Sequence, residues 1–157
     1  MFSLEELDSF VLREIGMLAR CVQSISDINF KELHLQKGQY IYLTRICENP
    51  GISQIDLATM LKVDKSSTTK AIPKLEEAGY ICKKRDADDK RLWRLYPEDK
   101  GMKVYEAVVT EENRNISVCF NGFSDGEKEA ALSFVRKMRE NIEEDWKEIK
   151  KYKGDAE

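Results

Sequence analysis

Apolar residues return at steps of three and four through Leu4, Leu7, Val11, Ile15, Leu18, Val22 and Ile25. This spacing predicts a long helix from about residue 4 to 28 with one narrow apolar seam, the kind a helix presents to another helix. Phe10, Leu12 and Met17 widen the apolar surface beyond that seam. After a break over 27–35, residues 35–48 return to helix, with Gly38 weakening the start and Asn49-Pro50-Gly51 stopping it. Ser53 suits the N-cap of a short helix whose apolar side is Ile55, Leu57, Ala58 and Leu61. Lys62 and Val63 make a brief connection to residues 65–79, a second helix with Asp64 as its cap and Gly79 at the left-handed position after its end. Thr68, Ala71, Ile72, Leu75 and Ala78 fall on its inward stripe, and Lys65, Ser66, Ser67, Thr69, Lys70 and Lys74 on its other faces.

Two short helices joined tightly, the second with a polar outer face, make a helix-turn-helix, whose second helix enters the major groove of DNA. Residues 80–85 (YICKKR) and 90–96 (KRLWRLY) follow as β-favourable runs around the turn formers Asp86-Ala87-Asp88-Asp89. A hairpin placed there is a wing, and its cations Lys83, Lys84, Arg85, Lys90, Arg91 and Arg94 suit phosphates or a narrow minor groove. Residues 98–120 read as a further helix with the stripe Tyr105, Val108, Val109, Ile116, Cys119 and Phe120, stopped by Asn121-Gly122. Ser124 and Glu127 form a capping box opening a last helix with Ala131, Val135, Met138, Ile142, Trp146 and Ile149 at steps of four and three. The charged stretch from Lys150 is expected to fray.

Leu61-Lys62-Val63-Asp64, Leu75-Glu76-Glu77-Ala78-Gly79-Tyr80-Ile81, Asp89-Lys90-Arg91 and Gly101 occur in that order and spacing. In these motifs the sequence resembles the MarR (multiple antibiotic resistance regulator) family of winged-helix transcription factors, and the helical plan extends the resemblance over almost the whole chain. The expected fold is therefore mainly α with a minor β part (α+β minor): a winged helix-turn-helix with N- and C-terminal dimerisation helices, about six helices and one β-hairpin wing. The division implied is 1–35 for an N-terminal dimerisation helix, 36–101 for the DNA-binding domain and 102–157 for C-terminal dimerisation helices. Two departures stand out. Pro97 occupies the position where the family carries a capping threonine, and is expected to open the following helix. Pro73 lies inside the second helix of the helix-turn-helix, where a bend or early loosening is expected.

Length and charge agree with this picture. The 157 residues suffice for one domain with a real core. The net charge of −3 is unevenly spread: 5 Lys+Arg stand against 8 Asp+Glu in residues 1–61, 10 against 6 in 62–94, and 11 against 15 in 95–157. Cationic charge thus gathers on the helix-turn-helix and wing, which orients the chain on a duplex. No apolar run is long enough to span a membrane and the acidic N-terminus lacks a signal-peptide pattern, so the expected location is the cytoplasm, with no membrane partner. Four scattered cysteines and one histidine make no metal site, and no cofactor is expected. There is no Gly-rich phosphate loop or nucleophile elbow to suggest an enzyme.

The expected partners are double-stranded DNA, a second copy of the chain and a small-molecule effector. Ser66, Ser67, Thr69 and Lys70 form the groove-facing set, and the expected DNA-binding residues also include Lys65 and Lys74 on the same helix and Lys90 and Arg91 on the wing. Lys83, Lys84, Lys90 and Arg94 supply general electrostatic attraction rather than sequence reading. The resemblance implies that Asp89 orients Arg91 toward the minor groove or backbone; a structural ion pair at the hairpin tip is the plainer reading, and both can hold. It also implies a homodimeric regulator, a repressor acting on an inverted-repeat operator and released by a small aromatic or phenolic ligand. Arg20 is the residue to pair with such an acid, with His34, Tyr40 and Tyr42 near the same cleft; the plainer reading of Arg20 is a surface or dimer contact. Two alternatives stand beside this. One is a thiol-based redox-sensing regulator using Cys21. The other is a winged-helix protein-interaction module that does not bind DNA, whose binding would be insensitive to salt.

Overall fold

The computed structural model describes residues 4–154; residues 1–3 of the acidic N-terminus and residues 155–157 of the charged end lie outside the described residues. Among the described residues there are six α-helices: α1 (Val11–Asn29), α2 (Gln39–Glu48), α3 (Gln54–Leu61), α4 (Lys65–Glu77), α5 (Asp99–Cys119) and α6 (Asp125–Gly154). A 3-10 turn covers Lys31–Leu33. Three strands, β1 (Ile52–Ser53), β2 (Ile81–Arg85) and β3 (Trp93–Pro97), make an antiparallel sheet in the order β1-β3-β2. The chain divides into two compact units, Met1–Asn115 and Ile116–Glu157, with α5 passing from one into the other. This is the winged helix-turn-helix plan that the sequence predicts, with β1 as an added strand.

The first unit is built on one core. Leu43 and Ile46 of α2, Leu57 of α3, Ile72 and Leu75 of α4, Leu95 of β3 and Val108 of α5 are at most 1 % exposed. Burying each such side chain contributes about 1.5–3 kcal/mol, so the inward stripe of α4 is what fixes its outward face. Ser53 caps α3 as its position predicts, its hydroxyl accepting the Asp56 N–H at 3.0 Å. Asp64 stands at the N-cap of α4 in extended conformation and its carbonyl accepts the Thr68 N–H, but its carboxylate makes no capping bond. Gly79 follows α4 at φ +79, donating to the Glu76 carbonyl, as a helix C-terminus requires. In the second unit, Ser124 and Glu127 close the capping box reciprocally at 2.9 and 3.1 Å.

Several boundaries differ from the sequence reading. The first helix begins at Val11 rather than near Leu4. The Ser9 hydroxyl accepts the Val11 N–H, and Leu4 and Leu7 are exposed. Apolar spacing alone does not sustain a helix end that packs on nothing within the unit. The second helix begins at Gln39, because Leu35 is drawn fully into the core and residues 37 and 38 turn left-handed (φ 56 and 77), with the Lys37 N–H held by Asp27. Pro97 does not open a helix: it ends β3 opposite Ile81, and α5 starts two residues later. The Glu98 N–H instead donates to the Tyr80 carbonyl at 2.8 Å. Pro73 does not end α4 early, since the helix continues through Glu77. α6 does not fray at Lys150 but runs to Gly154, helped by the Lys147–Glu143 pair and by Lys150 stacked 4.7 Å over Trp146.

Candidate nucleic-acid interface

Burial sorts α4 sharply. Thr68, Ala71, Ile72 and Leu75 face inward, while Lys65, Ser66, Ser67, Thr69 and Lys70 are all exposed. These five side chains, within the first two turns of α4, give one short polar face with two cations and three hydroxyls. The Thr69 hydroxyl donates to the Lys65 carbonyl at 2.8 Å and lies 3.5 Å from the Gln54 amide nitrogen of α3. Its proton therefore serves the helix, leaving a lone pair and a methyl group to meet a partner. Lys74 is also exposed, but it lines a separate recess with His34, Glu77 and Lys100.

The wing brings its tip onto the same side. β2 and β3 pair from Ile81↔Pro97 to Arg85↔Trp93, and a seven-residue connection from Asp86 to Leu92 closes the hairpin. Asp89 grips Arg91 through three bonds: its Oδ1 accepts the Arg91 backbone N–H and Nε, both at 3.0 Å, and its Oδ2 accepts a terminal guanidinium nitrogen at 3.2 Å. These bonds hold the Asp89 carboxyl below its ordinary range. The Arg91 side chain remains 90 % exposed. A groove of about 200 Å³ joins the two elements, lined by Gln54, Ile55, Lys65, Thr69, Arg91 and Trp93. Lys90 is exposed beside it.

The other wing cations divide by what they touch. Lys83 and Arg85 stack on the Trp93 ring at 4.6 and 4.7 Å, and Lys84 on Tyr96 at 5.3 Å. Arg94 is not a free surface charge: it pairs with Asp86 at 2.8 Å and donates to the Gly51 carbonyl at 3.2 Å. Trp93 and Asp86 are the residues that sequence reasoning left out. The hairpin register would have revealed Trp93, since it sits directly opposite Arg85 at the groove.

The residues assigned to an effector are not brought together. Arg20 is exposed and lines an open cleft of about 620 Å³ with Gln23, Asp27, Lys31 and Gln36. Tyr40 is buried against Phe30, ring centroids 5.1 Å apart, and Tyr42 is buried as well, so neither lines that cleft. Their place on the inward side of α2 follows from the core. His34 is exposed in a left-handed turn and lines the recess with Lys74. Cys21 and Cys119 are exposed, Cys82 is half-buried, and burial pushes the Cys47 thiol up to about 11, with the nearby Glu48 charge adding to the effect. Among the described residues no group of His, Cys, Asp and Glu is arranged to hold a metal, and no helix is long and apolar enough to cross a membrane.

Comparison with known proteins fits this geometry. The model of the MarR family matches residues 35–92, from the buried Leu35 through the wing tip. The uncharacterized HTH-type transcriptional regulator YybA of Bacillus subtilis (strain 168) is 48 % identical over 141 residues, covering 90 % of this chain and 94 % of that protein. A MarR protein from Peptoclostridium difficile superposes with a TM-score of 0.89 at 52 % identity, over 95 % of this chain and 97 % of the other. A putative MarR family regulator from Listeria monocytogenes, solved in complex with a 26mer DNA, superposes with a TM-score of 0.87 at 40 % identity, over 94 % and 96 %.

Proposed function

This chain belongs to the MarR family of transcriptional regulators, and from that premise we propose that it is a cytoplasmic homodimeric repressor that reads an inverted-repeat operator in double-stranded DNA. The observation that carries this reading is the shared groove: the exposed face of α4, through Lys65 and Thr69, and the tethered, exposed Arg91 open onto the same space. α4 enters the major groove, where Ser66, Ser67, Thr69 and Lys70 meet base edges and phosphates. Arg91 reaches the adjacent minor groove or backbone. The DNA complex of the Listeria relative supports the same class of partner.

Unpartnered apolar residues support the dimer. On α1, Val11, Leu12, Leu18 and Ile25 are exposed, and on α6 so are Leu132, Phe134, Val135, Ile142 and Ile149. Helices with such faces are what a second copy would cover. Release by a small aromatic acid is assigned to the cleft that holds Arg20 and Lys31, whose two cations suit a carboxylate. Thermal melts with benzoate, in the parent and in Arg20→Ala, test that part: a stabilisation lost in the variant supports it, and equal melting with and without benzoate removes it.

The experiment for the main reading is a mobility shift on the DNA upstream of the protein's own gene at two salt concentrations. The expected result is a discrete complex that survives excess unrelated DNA and weakens with salt at a log–log slope of about −0.9 per phosphate neutralised. A protein-docking role would leave no salt-sensitive complex with any DNA.

A further inference from the structure

The connection between β2 and β3 is organised by the half-buried carboxylate of Asp86. Asp86 Oδ2 accepts the backbone N–H groups of Asp88 at 3.1 Å and Asp89 at 2.9 Å, and its Oδ1 accepts Arg94 Nε at 2.8 Å. The Asp86 N–H donates to the Leu92 carbonyl and the Leu92 N–H to the Asp89 carbonyl, both at 3.0 Å. Arg94 in turn donates to the Gly51 carbonyl at 3.2 Å, and the Gly51 N–H to the Leu95 carbonyl at 2.7 Å. Gly51 immediately precedes β1, whose Ser53 caps α3. An unbroken series of bonds therefore runs from the backbone of Asp89 through Asp86 and Arg94 to the start of the helix-turn-helix.

We propose that Asp86, with Arg94, is the positioning residue of the wing: it sets where Asp89, and through it Arg91, stands relative to α4, and so controls DNA affinity without touching DNA. This rests on the reading of Arg91 as a DNA contact. Simple electrostatics gives the opposite sign. Asp86 is a negative charge within a cationic wing, and its removal would by itself strengthen attraction to phosphates. Positioning requires weaker binding on the same substitution, because Asp88 and Asp89 each lose the bond that Asp86 makes to their backbone N–H.

The test uses a short duplex selected from a random pool by the parent protein, with dissociation constants measured for Asp86→Ala, Asp86→Asn, Arg91→Ala and the double variant Asp86→Ala/Arg91→Ala. The expected result is a loss of about tenfold for Asp86→Ala, the size of one contact, a smaller loss for Asp86→Asn, whose amide oxygen can still accept from the loop, and no further loss in the double variant over Arg91→Ala alone. Binding by Asp86→Ala that equals or exceeds the parent overturns the proposal, and so do losses that simply multiply in the double variant. If Arg91→Ala binds like the parent, the reading of Arg91 falls and this proposal with it, whereas failure of the coupling alone leaves that reading standing. Should Asp86→Ala not fold, Asp86→Asn in both backgrounds carries the same comparison.

Discussion

Asp89 and Arg91, two residues apart at the tip of the wing, are joined by three hydrogen bonds at 3.0, 3.0 and 3.2 Å while the guanidinium-bearing side chain stays 90 % exposed. A surface pair of this kind adds little to stability, but it restricts where the cation can reach. Arg91→Ala is therefore expected to leave the melting temperature nearly unchanged. It should weaken binding to every duplex and lower the salt slope by about 0.9, the loss of one phosphate contact. Parallel melting curves and salt titrations of the variant and parent check both halves; an unchanged slope would show that Arg91 meets no phosphate.

Lys70 is exposed on the outer face of α4, one residue before the buried Ala71. If it reads a base edge, Lys70→Ala costs about 1–3 kcal/mol on the selected duplex and much less on unrelated DNA. The ratio of the two affinities is the readout. An equal loss on both would assign Lys70 to the phosphates.

Gly101 lies where α5 crosses the Tyr80 carbonyl. A Cβ there would stand 2.0 Å from that oxygen, which already accepts the Glu98 N–H. Backbone, unlike a flexible side chain, has little room to yield. Gly101→Ala should destabilise the protein by about 1–3 kcal/mol, measured by urea unfolding; a variant as stable as the parent would contradict the close approach.

Glu112 on α5 is half-buried, and desolvation raises its pKa above the usual 4.5, opposed by the Arg45 charge and reinforced by Glu48. A carboxyl raised in the folded state gives stability that is fully present below the unfolded value and lost as the pH rises through the folded one. Glu112→Gln should accordingly raise the melting temperature at neutral pH, with the gain vanishing as the pH falls below 4.5. Asp86 and Asp89 behave oppositely. Their pKa values are lowered, by the Asp89 backbone N–H and Arg94 for Asp86 and by Arg91 for Asp89, so the bonds they make are complete above 3.8 and lost only as the pH falls below it. Melting curves across the acid range separate the two signs.

Much of this was legible in the sequence, and several of the exceptions share a cause. The inward stripe of α4, the Ser53 cap, Gly79 and the Ser124–Glu127 box depend on residues within one or two turns, and each appears where the spacing puts it. Three of the misplaced features depend on partners distant in sequence, whereas the ends of α1 and α6 turn on local contacts. Leu35 leaves the second helix because the core takes it; Tyr40 is lost to an effector cleft because it packs on Phe30; Pro97 stays in β3 because Ile81 lies opposite. β1 is two residues long and is defined only by its pairing with Arg94 and Leu95, so no propensity announces it. The polar face of α4 was readable from periodicity, whereas the groove it shares with Trp93 required the hairpin register.

The central claim is that two copies of α4 and the wing meet one duplex about a two-fold axis. Hydroxyl-radical footprinting of the parent protein on the selected duplex tests it most directly. The expected pattern is two symmetric protected regions with centres one helical turn apart, about 10–10.5 base pairs or a multiple of it, both fading together as salt rises. A single asymmetric patch, or protection that ignores salt, would contradict the account.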